Sequence, residues 1–246
     1  MPDSNDVMPA ETMEQAARAE TTSRPKREYR ATAFQVALFS ALGAFAVLTL
    51  MVSSTPFFAI DLQITRSLQA IQSPLFAAIM SLISWPGFLP QSLIMAGFAV
   101  WLLYRYGLHW EAVTVLFASL LSNAVNLLVK ELIRRPRPTG DLVDVISILD
   151  SYSFPSGHVM FYLGFFGYLW FLVFTLLKRS WKRTLLLSVL GALIGLVGPS
   201  RLYLGHHCAS DILGATLLGG VTLAVILQFY RWGKKRFFSG QPVAPG

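Results

Sequence analysis

The segment "YSFPSGHVMFYLGFFGYLWFLVF", Tyr152 to Phe174, joins a polar turn to an apolar run of membrane-spanning character. Proline, serine, glycine and the ionisable His158 stand at the start of this run. A histidine at the end of a membrane helix is by itself more often an ordinary interfacial residue than a catalytic one, although ionisable residues within membrane spans are rare and often functional. His158 therefore raises the question of which other parts of the chain supply polar partners for it.

The composition predicts an integral membrane protein. Of the 246 residues, 54% are hydrophobic and 13% are charged, whereas soluble domains carry about 25% charged residues. The net charge of +7 comes from basic residues at the ends of apolar runs, which indicates contact with membrane lipids and argues against nucleic acid. Cys208 is the single cysteine, so no internal disulfide forms, and no Cys/His spacing resembles a zinc site.

Six apolar segments are long enough to cross a bilayer. They lie near Phe34–Ser53, Gly87–Leu103, Ala112–Val129, Val159–Leu177, Thr184–Val197 and Ile212–Tyr230. Residues 57–84 alternate apolar and polar positions at helical spacing and are divided by Pro74. We therefore expect an all-α polytopic protein of six transmembrane helices, with one or two short interfacial helices on its outer face.

The distribution of basic residues predicts the orientation. Thirteen of them lie on one side of the predicted spans, namely Arg24, Lys26, Arg27, Arg30, Arg105, Lys178, Arg179, Lys182, Arg183, Arg231, Lys234, Lys235 and Arg236. Six lie on the other side, namely Arg66, Lys130, Arg134, Arg135, Arg137 and Arg201. The positive-inside rule then places both termini in the cytoplasm.

The two ends of the chain differ in composition from the membrane region. Residues 1–30 are polar and lack an apolar segment near the start, so we expect a disordered cytoplasmic tail and no cleavable signal peptide. The predicted membrane domain covers residues 31–236, and a second disordered tail covers residues 237–246.

Three polar clusters fall on the predicted outer side: Lys130–Pro138, Pro155–His158 and Ser200–Asp211. Their basic residues are consistent with lipid headgroup anchoring or with an anion site, and position alone leaves both open. Lys130, Arg137 and Arg201 together match the charge of a dianionic phosphate.

The remaining polar residues of these clusters suggest phosphoryl chemistry. Ser156 and Gly157 precede a helix, where a hydroxyl and backbone N–H groups can cradle an anion. His207 and Asp211 lie one helical turn apart, so the carboxylate can hold the imidazole in one tautomer. His158 adds a second imidazole, and two histidines suit a nucleophile and a general acid.

The pattern Lys-x6-Arg-Pro, Pro-Ser-Gly-His and Ser-Arg-x5-His-x3-Asp resembles the three-part signature of the type 2 phosphatidic acid phosphatase superfamily. The sequence carries every fixed position of it: Lys130, Arg137, Pro138, Pro155, Ser156, Gly157, His158, Ser200, Arg201, His207 and Asp211. The resemblance is close between Lys130 and Asp211, and the six predicted spans extend it over most of the chain.

This resemblance implies a lipid phosphate phosphatase that works through a phosphohistidine, without metal or cofactor. His207 is then the expected nucleophile, Asp211 its orienting partner and His158 the acid for the leaving group. The expected phosphate-binding residues are Lys130, Arg137, Ser156, Gly157 and Arg201. The implied location is a bacterial inner membrane with the active site facing the periplasm, and the oligomeric state stays open.

Several alternatives stay open from the sequence. Undecaprenyl pyrophosphate is the first expectation for the substrate, beside phosphatidylglycerol phosphate, phosphatidic acid and lipid A phosphates. A lipid phosphotransferase would share every catalytic residue, while a non-catalytic binder or transporter would not need the His207–Asp211 pair. Arg134 and Arg135 match no signature position, so we expect from them contacts with lipid headgroups, contacts with the end of the substrate tail, or surface charge. We expect Cys208 to serve packing.

Overall fold

The computed structural model describes residues 10–147 and 149–238, and the regular secondary structure of these residues is helical. The prediction of an all-α protein is therefore confirmed. The helices are α1 Ala10–Ser54, α2 Ala59–Gln69, α3 Pro74–Ser84, α4 Gln91–Arg105, α5 His109–Ile133, α6 Gly157–Phe161, α7 Gly167–Leu176, α8 Trp181–Tyr203 and α9 Ala209–Phe238. A π-helical segment, Tyr162–Phe166, joins α6 to α7 without a break.

Five helical segments of the described ranges are each long and apolar enough to span a membrane. They are Ala31–Ser54, His109–Ile133, Gly157–Leu176, Trp181–Tyr203 and Ala209–Phe237. The second predicted span differs, because Gln91–Arg105 reaches membrane length only together with Pro74–Gly87, to which it is inclined by 60°. Pro86 and Pro90 lie at this bend, where a proline lacks the N–H that a continuous helix needs.

Of the one or two short interfacial helices predicted between residues 57 and 84, the structure has two short helices, α2 and α3, and their place at the membrane surface stays a prediction. Pro74 is the first residue of α3, and the Ser73 hydroxyl accepts a hydrogen bond from the Phe76 N–H at 3.4 Å. In α2 the apolar Ile60 is 58% exposed while Asp61 is 2% exposed. The polar side of α2 therefore faces the protein, as expected where an apolar side chain can instead face lipid.

A buried aromatic cluster holds α5, α6, α7 and α9 together. Phe161, Tyr162, Phe165 and Tyr168 are almost fully buried and pack with apolar side chains of α5 and α9. Gly164 has no side chain, and a Cβ there would overlap the Ser122 hydroxyl of α5. This close packing fixes the end of α5 and the starts of α6 and α9 relative to one another.

The chain divides into two compact units, Met1–Ala41 and Leu42–Gly246. Helix α1 begins at Ala10 and so includes most of the segment for which the sequence predicts a disordered tail. Alanine, glutamate and arginine are frequent in this segment, and all three have high helix propensity. Residues 1–9 and 239–246 lie outside the described residues, and the proposed domain limits stay a prediction.

Candidate active site

Three chain segments that are distant in sequence converge at one end of the helical bundle. The end of α5 and the loop after it carry Lys130, Arg135 and Arg137, the start of α6 carries His158, and the α8–α9 connection carries His207. A cavity of about 370 Å³ opens between them. Six of the eight predicted site residues line this cavity: Lys130, Arg137, Gly157, His158, Arg201 and His207.

The other two predicted residues lie behind the cavity wall. Asp211 and Ser156 are both fully buried, and the Ser156 N–H donates to the Asp211 carbonyl oxygen at 3.3 Å. The Asp211 carboxylate nevertheless reaches the site, because its Oδ2 lies 3.4 Å from His207 Nδ1. The structure thus brings all eight predicted residues together in one region.

The two ring nitrogens of His207 have different surroundings. Arg137 Nη1 lies 3.2 Å from His207 Nε2, while Asp211 and the Ser153 hydroxyl lie on the Nδ1 side. Because a guanidinium can only donate, Nε2 acts as the acceptor and the ring proton belongs on Nδ1, next to the carboxylate. This tautomer leaves an electron pair on the nitrogen that faces the cavity.

Electrostatics keep His207 neutral. Burial lowers the pKa of His207 well below its usual value, and the cations Arg137, Arg201 and Lys130 lower it further. A neutral imidazole at neutral pH is the form that can attack phosphorus. Burial, with the same two arginines, also lowers the pKa of the adjacent His206, to about 3.

Arg201 is prepared to bind an anion. Its side chain is fully buried, and Nη1 donates to the Ser84 hydroxyl at 2.6 Å while the guanidinium lies 5.0 Å from the centre of the Phe88 ring. Its Nε and Nη2 have no hydrogen-bond partner among the described residues. Unpaired buried donors are costly, and two N–H groups of a planar fork suit two oxygens of one phosphate.

Lys130 and Arg137 are held in place by backbone carbonyls. The Lys130 ammonium donates to the Tyr152 carbonyl and lies 3.5 Å from the Ser153 carbonyl. Arg137 donates to the carbonyls of Ser151 at 2.7 Å and of His206 at 2.6 Å. Neutral carbonyls orient these side chains without pairing them to an acid, so three basic side chains, Lys130, Arg137 and Arg201, line the cavity.

The Pro155–His158 segment supplies further unpaired groups. The Ser156 hydroxyl and His158 Nε2 are buried without a hydrogen-bond partner among the described residues. The His158 ring stands edge-on to Phe88, with ring centres 4.5 Å apart. His158 lines the cavity and can donate a hydrogen bond or a proton to an anion bound there, whereas the Ser156 hydroxyl lies behind the cavity wall.

Asn126 belongs to the site although sequence reasoning missed it. Its amide donates to the Pro155 carbonyl at 3.0 Å, and a Cβ on Gly157 would stand 3.0 Å from its side-chain oxygen. Asn126 precedes Lys130 by one helical turn, so both share one face of α5. Asn126 is a polar residue inside a predicted span, four residues before Lys130, and this position could have indicated its place in the site.

The expectation for Arg135 was wrong, whereas Arg134 lies at the surface as expected. The Arg135 side chain is fully buried and pairs with Asp211 Oδ1 at 2.6 Å and with Asp61 Oδ2 at 3.0 Å. Arg134 is exposed and adopts a left-handed conformation, φ 52°, that ends α5. Adjacent arginines therefore point in opposite directions, which their identical chemistry could not indicate.

Ser153 and Cys208 complete the surroundings of Asp211. The Ser153 hydroxyl and the Cys208 N–H both donate to Asp211 Oδ2. The Cys208 thiol is buried, and burial raises its pKa, so it stays a thiol. Ser153 is not part of the signature, and its position two residues before Pro155 was the one feature of the sequence that could have indicated a role for it. Among the described residues, no group of three or more His, Cys, Asp or Glu side chains could hold a metal ion.

Comparison with known proteins agrees with this geometry. The family described as the PAP2 superfamily matches residues 111–235, about half of the chain. Phosphatidylglycerophosphatase B of Bacillus subtilis is 28% identical over 189 residues, which cover 75% of this chain and 90% of that protein. Human dolichyldiphosphatase 1 is 28% identical over 137 residues, which cover 52% of this chain and 56% of that protein.

Two solved structures are also similar. The crystal structure of a transmembrane PAP2-type phosphatidylglycerolphosphate phosphatase from Bacillus subtilis has a TM-score of 0.70 and 25% identity, with 83% of this chain and 98% of that chain covered. The crystal structure of Aquifex aeolicus LpxE has a TM-score of 0.56 and 20% identity, with 71% of this chain and 98% of that chain covered. At this identity the similarity shows a shared fold alone.

Proposed function

This chain belongs to the PAP2 superfamily, and we propose that it hydrolyses the terminal phosphate of a membrane lipid phosphate or lipid diphosphate. The observation that carries the proposal is the pairing of His207 with Asp211 at a cavity that also holds Lys130, Arg137 and Arg201. A binding protein would need the cations but not an imidazole oriented by a carboxylate.

The first step forms a phosphohistidine. His207 Nε2 attacks phosphorus, and the bond from phosphorus to the leaving oxygen breaks as the new P–N bond forms. His158 gives its proton to that oxygen, which leaves as a lipid alcohol or a lipid monophosphate. Arg201, Lys130 and Arg137 offset the negative charge on the remaining phosphate oxygens in the transition state.

The second step releases phosphate. Water attacks the phosphorus of the phosphohistidine, and His158, now the base, takes a proton from that water. The P–N bond breaks and neutral His207 is regenerated, with inorganic phosphate as the product. The Asp211 carboxylate accepts a hydrogen bond from the Nδ1–H of His207 in both steps. Its negative charge offsets the positive charge that the ring carries while it is phosphorylated.

Two substrate classes are supported by different relatives. The Bacillus subtilis relative that aligns over 90% of its length is named for phosphatidylglycerophosphate, which favours a phosphatidylglycerol phosphate as the first candidate. Dolichyldiphosphatase 1 is named for a prenyl diphosphate, which keeps undecaprenyl pyrophosphate, the first expectation from the sequence, as the second. Either substrate would keep its tail in the bilayer while its terminal phosphate enters the cavity.

We further propose a multi-pass location in a bacterial inner membrane, with both termini in the cytoplasm and the cavity on the opposite side. The support is the excess of basic residues at the predicted cytoplasmic ends of the spans. Reaction of a single engineered cysteine at an exposed position such as Asp141 with an impermeant thiol reagent in intact cells tests this orientation. Labelling only after cell lysis would contradict it.

The decisive experiment measures phosphate release by the detergent-purified protein from phosphatidylglycerol phosphate, undecaprenyl pyrophosphate and phosphatidic acid, with excess chelator present. We expect turnover of at least one substrate, a lipid product lacking one phosphate, and loss of at least about 10³-fold in kcat in folded His207→Ala. Recovery of the phosphate on a second lipid would instead indicate a phosphotransferase. No turnover, or turnover unchanged in His207→Ala, would refute the proposal.

A further inference from the structure

Arg135 joins two buried carboxylates from different helices. Its Nη1 donates to Asp211 Oδ1 at 2.6 Å and its Nη2 to Asp61 Oδ2 at 3.0 Å. Its Nε donates to the Pro56 carbonyl at 2.8 Å. All three side chains are essentially inaccessible to solvent, so this guanidinium belongs to neither the surface nor the cavity wall.

Asp61 also holds the start of α9. Its Oδ1 accepts from the Ser210 N–H at 2.8 Å, and its Oδ2 accepts from the Ser210 hydroxyl at 2.6 Å. Ser210 is the residue directly before Asp211, and its hydroxyl accepts from Arg135 Nη1 at 2.7 Å. Helix α2 thereby fixes the first turn of α9 and the arginine that pairs with Asp211.

This pairing decides which way the Asp211 carboxylate turns. Arg135 occupies Oδ1, so Oδ2 is the oxygen left for Ser153, the Cys208 N–H and the His207 ring. A carboxylate whose one oxygen accepts a short hydrogen bond from a buried, charged guanidinium rotates little. Arg135 contacts Asp211, and Asp211 contacts His207, so Arg135 sets the orientation of His207 indirectly, through Asp211.

Stability alone does not explain this arrangement. Burying two carboxylates with one guanidinium costs desolvation free energy, and apolar side chains of the same volume often stabilise a protein as well or better. Such networks are nevertheless suited to holding functional groups in one geometry. This network leads from Asp61 through Arg135 and Asp211 to His207, the residue whose orientation matters for the reaction.

We propose that Asp61 and Arg135 are positioning residues for the phosphoryl transfer: Asp61 orients Arg135, Arg135 orients Asp211, and Asp211 orients His207. Neither residue lines the cavity, so both act on the reaction through His207. This proposal rests on the proposed function, because the rate of phosphohistidine formation is its readout.

A double-mutant cycle tests the relay. In single-turnover experiments on the purified full-length protein, we expect Asp61→Asn and Arg135→Gln each to slow phosphohistidine formation by about 10-fold to 100-fold, the range for outer-shell partners, with KM changed by less than about threefold. The double variant is expected to be no more than about threefold slower than the slower single variant, because one broken link already disrupts the relay.

The design separates positioning from folding. Misfolding lowers the fraction of active protein and so the amplitude of the single turnover, whereas loss of positioning lowers its rate constant. Glu111→Gln is the matched control, a buried carboxylate paired with a cation at the other end of α9, and it should keep the wild-type rate. If Arg135→Gln does not fold, Arg135→Lys carries the cycle, since it keeps the charge but not the fork.

The outcomes distinguish the two proposals. Wild-type rates in both single variants, or effects that multiply in the double variant, would overturn the relay while leaving the phosphatase intact. A wild-type protein that releases no phosphate from any substrate of the panel would instead overturn the proposed function.

Discussion

At each end of helix α9, a charged residue of α9 pairs with an oppositely charged residue from another segment of the chain. The two pairs differ in how far they are buried. Near its start, Asp211 and Arg135 are both fully buried. Near its end, Lys234 lies 2.7 Å from Glu111 of α5, and the lysine side chain is 37% exposed. The Tyr230 hydroxyl adds a hydrogen bond of 3.0 Å to Glu111.

The surroundings of the two pairs explain the contrast. Beside Asp211 a cavity opens, and Arg201, His158 and Ser156 keep polar atoms without partners among the described residues. At the other end the charged groups satisfy one another, and the lysine reaches solvent. Unpaired donors around a cavity indicate a ligand, whereas, in the described part of the chain, a charge pair with no cavity beside it and a lysine that reaches solvent indicates a structural role. Substitutions at the two ends should therefore separate activity from stability.

The largest effect is expected at Asp211. Asp211→Asn keeps the side-chain shape but removes the charge that holds the Nδ1 proton of His207, so we expect kcat to fall by about 10³-fold to 10⁴-fold. Phosphate release under substrate saturation measures this, with size-exclusion chromatography as the check on folding. Activity within tenfold of the wild type would remove Asp211 from the mechanism.

Arg201 should come next. Arg201→Ala removes two N–H groups that have no partner among the described residues and that we propose bind the phosphate. Loss of such transition-state donors costs about 10²-fold to 10³-fold in kcat. Arg201→Lys should recover little, because an ammonium lacks the planar fork. A lysine variant with wild-type kcat would show that charge alone is needed at this position.

The pH dependence sharpens the electrostatic side of the comparison. His207 reacts when neutral, that is, above its own pKa, and burial and nearby cations lower that pKa. Its protonation should therefore limit kcat/KM only well below pH 6.5. Arg137→Gln removes the first of these cations, so the pKa of His207 should rise and the acid limb of the profile should move to higher pH. Ionisation of the substrate affects the pH profiles of the wild type and of Arg137→Gln equally, so it does not explain a difference between them. An acid limb at the same pH in both would contradict the claim that Arg137 lowers the pKa of His207.

The smallest effect on activity is expected at the opposite end of α9. Glu111→Gln should leave kcat within about twofold of the wild type, because no reacting group touches it. The lost pair with the partly exposed Lys234 is worth on the order of 1 kcal/mol after solvent screening, which corresponds to a Tm lower by roughly 2–4 °C. A large loss of kcat with unchanged Tm would show that the two ends are functionally coupled.

Much of the architecture could be predicted from the sequence. Apolar length and the positions of basic residues indicate membrane helices, and Pro74 marks the boundary between α2 and α3. The bend between α3 and α4 was missed, because hydropathy measures apolar length and not the direction of a helix. The His207–Asp211 pair was predictable, since a spacing of one helical turn places two side chains on one face.

The role of α2 was only partly predictable. Its amphipathic pattern indicates a short helix, but the pattern does not say which face meets the protein. In water the apolar stripe would be buried, whereas in a membrane it can face lipid, so Asp61 turns inward instead. Asp61 is the one acidic residue of residues 57–84. This feature indicates a role for Asp61 only once its partner, Arg135, is known.

The sequence by itself determined the class of protein and the residues of the candidate site, because helix length, local spacing and side-chain chemistry are properties of short segments. Tertiary structure alone decided how that site is supported. Asp61 and Arg135 are 74 residues apart and meet only through the packing of α2 against the start of α9. Neighbouring arginines with the same chemistry then separate, Arg134 to the surface and Arg135 to the interior, because only one of them finds two carboxylates to offset the cost of its burial.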